Sequence, residues 1–182
     1  MADCLITSGR DKGCKDAVGG ISTFYVINRL PNDEPIGDVT DGVLESLNPN
    51  ISQVFPFYLV GDNSNYGESA VGDRNTGTYA NTQTLTFQLN KITKEDHLTL
   101  TILSKGYPWI IAKDRMGNYL LFGYQDGVDF TVATSSGAAK TDFNGYTLTG
   151  TATEAELAIH LSEEVVEELL LMVVNPTPPP SV

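Results

Sequence analysis

The chain is 182 residues long, 41% hydrophobic and 19% charged, a profile that fits a folded domain with a buried core and excludes a disordered segment. Its 11 Lys and Arg stand against 23 Asp and Glu, a net charge of −12, which excludes a surface built to grip nucleic acid by its phosphates. No apolar run approaches the roughly 20 residues that span a bilayer. Asp3 and the early Gly and Arg interrupt any leader-type apolar stretch, so the expected site of residence is the compartment of synthesis.

The opening "CLITSGRDKGCKDAVGGI" (4–21) holds both cysteines, Cys4 and Cys14, among mixed charges. Gly19 and Gly20 before a β-branched run suit a sharp turn into the first strand. Asp11, Lys12, Lys15 and Asp16 read as a solvated face, and the two thiols are expected to stay free, packed near that strand without a metal. Strand signals follow at "STFYVIN" (22–28) and "VFPFYLV" (54–60), where Pro56 argues for an edge or a bulge. The intervening 29–42 and the polar 61–78 read as long loops, of the kind that bind or reach a neighbour. "TQTLTFQL" (82–89) alternates strictly, with Leu85, Phe87 and Leu89 on one face, as a half-buried antiparallel strand does.

A helix is expected over 93–105. Thr93 stands three residues before Asp96, a capping-box spacing, and Gly106 supplies a stop. Leu98, Ile102 and Leu103 make its apolar stripe. Strands resume over 108–124, folded back at "DRMGN", and at "GVDFTVA" (127–133). After a polar loop at 134–145, "YTLTG" and "AELAIHL" read as a closing pair, with Tyr146, Leu148, Leu157, Ile159 and Leu161 inward. "SEEVVEELLLMVV" (162–174) switches to a period near four, with Ser162 as its cap. "NPTPPPSV" is a Pro-rich, extended end. The layout is therefore one β-rich unit over 1–161, then a C-terminal helix and tail over 162–182.

No chemical constellation survives inspection. Two cysteines ten residues apart, with His97 on the polar start of a helix and His160 on an outward strand face, do not make a four-ligand zinc set. Neither histidine is placed beside Cys14 for nucleophilic work. "GRDKGCK" lacks phosphate-loop spacing. "DNSNYGESAVGD" (62–73) has calcium-loop offsets, but Tyr66 is a poor ligand and the last position lacks Glu. The expectation is a protein without catalysis, cofactor or metal.

"C-x9-CKDAVGGI…FYVIN", "DRMGNYLLFGYQDGVDFT" and "NGYTLTGTATE" together resemble tailed-bacteriophage virion structural proteins, most closely the tail-tube or tube-fold ring type, over roughly 1–30 and 82–160. The resemblance implies a mainly β fold with one inserted helix, an antiparallel β-sandwich or rolled barrel, whose subunits form sixfold rings. It implies partners in other copies of the chain and other virion proteins, with DNA passing unbound, no membrane, and synthesis in the host cytoplasm. The alternatives are an auxiliary capsid or decoration protein and a head–tail connector ring. Helix 162–174 and the Pro-rich end go beyond the family pattern. They lead to an expected subunit contact through Val165, Val166, Leu169, Leu170 and Val173. A channel that repels DNA would carry acids on its wall, with Asp62, Glu68, Asp73, Asp129 and Glu156 as candidates.

Overall fold

Runs that are apolar at every position, rather than at alternate ones, dictate the layering. The computed structural model describes residue 6 and residues 8–174. Its strands are β1 (Ile21–Ile27), β2 (Val39–Thr40), β3 (Val43–Leu44), β4 (Phe55–Tyr58), β5 (Asn65–Asp73), β6 (Thr78–Asn90), β7 (Trp109–Asp114), β8 (Tyr119–Phe122), β9 (Asp129–Ser135), β10 (Gly145–Glu154) and β11 (Ile159–Leu161). Helix α1 (Lys94–Leu103) lies between β6 and β7, and α2 (Glu163–Leu171) follows β11. The strands make a seven-stranded sheet, ordered β2-β3-β11-β8-β7-β1-β4, and a four-stranded sheet, ordered β5-β6-β10-β9. Every pairing is antiparallel except β11 with β3. The fold is mainly β and sandwich-like, with two helices.

The large sheet is covered on both faces. One face meets the small sheet through Phe24, Ile110, Phe122, Leu85, Phe87, Phe130 and Leu148. Phe24 stacks on Phe87 at 4.0 Å between ring centroids and on Phe57 at 4.8 Å. The other face carries Tyr25, Ile27, Trp109, Ile111 and Leu121, covered by Ile36, Leu47 and Ile51 of the 29–54 segment and by Val165 and Leu169 of α2. Strands buried on both faces need apolar side chains at odd and even positions alike, which is why "FYVI" and "WIIA" do not alternate. The small sheet faces solvent on its far side, and there alternation returns. Gly150 of β10 belongs to this contact: a side-chain carbon there would sit 2.8–3.0 Å from Val128 and the Phe130 ring.

Several local signals hold. Thr93 Oγ1 accepts the Asp96 N–H at 3.1 Å and donates to the Asp96 carboxylate at 2.6 Å. Ser162 Oγ accepts the Val165 N–H at 3.3 Å. The "DRMGN" turn closes with the Asp114 N–H donated to the Asn118 carbonyl at 3.0 Å and Gly117 at φ +91°, which a residue with a Cβ resists. β4, carrying Pro56, is an edge of its sheet.

Others are corrected. The 61–78 segment is no loop but most of a hairpin, β5 and the turn into β6; an exposed edge strand buries almost nothing, so it shows no alternation to read. The 29–42 segment is partly structured, with a 3-10 turn at Pro31–Asp33 and β2. The buried positions of α1 are Leu100 and Leu103, while Leu98 and Ile102 stand 67% and 62% exposed. Apolar residues at 98, 100, 102 and 103 occupy more than one helix face, and the position of the core chose between them. β10 and β11 do not pair; they enter different sheets, and Leu157 in the turn between them is exposed. Cys14 is exposed rather than packed, since 8–19 form no strand or helix and offer it no core, and Cys4 lies outside the described residues.

Leu169 is fully buried beneath α2. Leu169→Ala is expected to cost about 2–5 kcal/mol of unfolding free energy, read from urea titrations. A loss under about 0.5 kcal/mol would detach α2 from the cooperative core.

Candidate functional site

The small sheet has no strand beyond β5 or beyond β9 among the described residues, so it presents two open edges. Its central pair is long: β6 and β10 are in continuous register from Asn90 opposite Gly145 to Asn81 opposite Glu154. Its inner face is apolar around Leu85, Phe87, Phe130 and Leu148 and turns polar toward the β5–β6 turn, at Glu68, Asn81, Gln83 and Glu154. Its outer face forms rows across the strands. Thr131, Thr149, Thr86 and Asn65 make one row, and Asp129, Thr151, Thr84 and Gly67 the next. Threonine suits such a face because the branched Cβ favours a strand while the hydroxyl meets water. The only ionisable groups on this face of the strands are Asp129 and Asp73, and no cation lies there. Toward its turn, the β5–β6 hairpin runs past the core into solvent, with Val71 and Tyr79 64% and 57% exposed.

The five acids read from sequence do not form one set. Asp73 and Asp129 share the outer face, Asp73 at the hairpin turn, where it accepts the Asn75 N–H at 2.7 Å. Asp62 pairs with Arg115 at 2.7 Å. Glu68 occupies the core-facing side of β5 and accepts the Ala158 N–H at 3.0 Å. Glu156 is exposed in the turn between β10 and β11, its carbonyl accepting from Asn81 Nδ2 at 3.0 Å. The α2 residues divide likewise. Val165 and Leu169 are consumed by the chain's own core, Val166 and Val173 are half-buried, and Leu170 is exposed beside Leu171. Among the described residues, no group of three or more His, Cys, Asp and Glu is arranged to hold a metal ion, and no helix is long and apolar enough to cross a membrane.

Sequence reading missed a polar end to the sandwich core. Asn81, Gln83 and Glu154 are buried on the inner faces of β6 and β10, and Gln83 and Glu154 reach the strap that follows β8. Gln83 Oε1 accepts the Gly123 N–H at 3.0 Å, and the Glu154 carboxylate accepts those of Gln125 and Asp126 at 3.1–3.3 Å. Trp109 Nε1 donates to the Tyr124 carbonyl at 3.1 Å and Arg29 Nη1 to that of Gln125 at 2.6 Å. The strap thereby forms one wall of a cleft of about 590 Å³ that includes Arg29, Pro35, Tyr107, Trp109 and Tyr124. A signal existed: strand parity in "YTLTGTATE" puts Glu154 on the inward side with Tyr146 and Leu148.

No protein-family model matches this chain, and neither a curated protein nor a solved structure matches it.

Burial pushes the Glu154 carboxyl above its ordinary value of 4.5, against the pull of the Gln125 and Asp126 N–H groups. The folded chain then holds this proton more tightly than the unfolded chain. Its contribution is complete below pH 4.5 and is lost as pH rises through the folded value. Glu154→Gln keeps an acceptor without the charge, so its stability relative to the parent is expected to improve as pH rises from 4.5 through the folded value and to level off above it. A difference in urea midpoint that stays flat across that range would overturn this assignment.

Proposed function

We propose that this chain is a virion structural subunit of the tail-tube type, which assembles into rings by pairing β5 of one copy with β9 of the next. The observation that carries the reading is the four-stranded sheet itself, packed on the core by one face, uncharged but for two acids on the other, and open at both edges. Unpaired edges are normally blunted or covered because they invite another strand, and ring closure removes them altogether. Six copies would contribute on the order of 24 strands, spaced about 4.8 Å apart, and close a backbone cylinder about 37 Å across before strand tilt widens it.

The threonine face would then line the channel. A wall without cations gives DNA phosphates nothing to bind, so passage costs no bond-breaking. The net charge of −12 acts elsewhere on the particle and adds long-range repulsion, screened within about 8–10 Å at moderate salt. Exposed apolar groups, Leu98 and Ile102 on α1, Leu170 and Leu171 on α2, and Val71 and Tyr79 at the turn end of the β5–β6 hairpin, are further surfaces for neighbouring copies.

Electron microscopy of the purified protein, with mass measurement in solution, tests the reading. Closed rings that stack support it. Single rings that never stack would move the assignment to a connector, and a stable monomer at tens of micromolar, about the range where such interfaces form, would overturn it. Edge pairing has its own control. Adjacent residues in a strand point their N–H groups to opposite sides, so of Thr131→Pro and Val132→Pro one removes an outward donor and the other a bond of the β9–β10 ladder. The variant that keeps parental stability is expected to abolish rings.

A further inference from the structure

The eight residues after Val174, "NPTPPPSV", hold four prolines between positions 176 and 180 and no charged side chain between 175 and 181. Such a composition is stiff, extended and poor in backbone donors, and it is recognised by aromatic grooves that hold proline rings while side-chain donors meet the free carbonyls.

The described chain stops close to a groove of that kind. The Val174 N–H donates to the Val54 carbonyl at 2.9 Å, and Val54 bridges Val173. Val54 directly precedes β4, whose Phe55 stands opposite Val26 of β1; the next residue, Ile27, stands opposite Trp109 of β7. Three strand spacings, about 14 Å, therefore separate Val174 from the floor of the cleft. Val54, Ile27, Trp109 and Leu169 share one core cluster, against which Val173 packs, so the described chain ends beside the face of the sheet to which Trp109 belongs. Eight residues in polyproline II extend about 25 Å, more than the span requires.

The cleft has the matching chemistry. Tyr107 is 60% exposed and Tyr124 half-buried, with Pro35 on the rim and the Arg29 guanidinium 5.4 Å from the centroid of the Trp109 ring below. Phenolic hydroxyls supply donors to carbonyls. The strap is tied by Gln83, Glu154, Trp109 and Arg29, so little freedom remains to be lost on binding.

We propose that Pro176–Pro180 docks in the same chain's cleft as a polyproline strand between Tyr107 and Tyr124. This contact is independent of ring formation, because the cleft and the tail root both lie on the large sheet.

The test places a nitroxide through Ser181→Cys in a chain carrying Cys4→Ser and Cys14→Ser, and reads NMR signals of Tyr107, Trp109 and Tyr124. Docking in cis is expected to broaden all three, and reduction of the label to restore them. Tyr107→Ala, at an exposed position that leaves the core intact, and Pro178→Ala with Pro179→Ala in the tail are each expected to release the broadening. Free NPTPPPSV peptide is expected to bind a chain ended after Val174 and to compete poorly with the full chain. Untouched cleft signals would overturn the proposal. So would broadening that survives both sets of substitutions, since that reports tether length alone. Broadening seen only when spin-labelled and isotope-labelled copies are mixed would overturn the cis contact and assign the tail to a neighbouring copy.

Discussion

Burial of strands β1 and β7 on both faces is the constraint from which the rest follows. A sheet whose central strands read "STFYVI" and "WIIA" cannot leave either face wet, and two different structures cover it. The long antiparallel sheet of β5, β6, β9 and β10 takes one side. On the other, the chain uses the irregular parts of the 29–54 segment and α2. Each fully buried Phe, Ile or Trp contributes roughly 1.5–3 kcal/mol relative to exposure, so leaving one cover off would expose a cost larger than a domain's net stability. This is why α2, amphipathic and glutamate-rich, is held in the core through Val165 and Leu169.

The two covers have different consequences. The small sheet makes its inward contact with one face and has nothing to hide on the other, which frees its outer side for threonine and leaves both lateral edges unsatisfied. A lone subunit would present backbone donors and acceptors along β5 and β9, a state that proteins usually avoid. The edge strands carry no proline and three acids between them, Glu68 and Asp73 on β5 and Asp129 at the start of β9, so little in the sequence blunts them. Assembly is a way to satisfy them.

A second organising feature is polar. Where the sandwich core ends, Gln83 and Glu154 replace apolar residues and satisfy backbone N–H groups of the strap after β8. A turn trapped between two sheets would otherwise bury unpaired donors, at about 1–3 kcal/mol for each. Asn81 is the exception, since its Nδ2 is used while its buried Oδ1 has no partner among the described residues.

The sequence by itself determined the local structure wherever the physical signal was local. Thr93 with Asp96 and Ser162 with Val165 are capping contacts spanning three residues, and the Gly117 turn closes within five. Alternation in β6, β9 and β10 was legible because one face of that sheet meets water. Tertiary structure alone decided what depended on distant neighbours. β5 buries too little to show a pattern, so only its pairing with β6 makes it a strand. The direction of the core selected Leu100 over Leu98 on α1, the crossing between sheets separated β11 from β10, and the fit against Trp109 and Leu121 turned α2 inward. Alternation marks which side of a strand is buried; it carries no information about which strand lies beside it, and that is the limit at which local reading stopped.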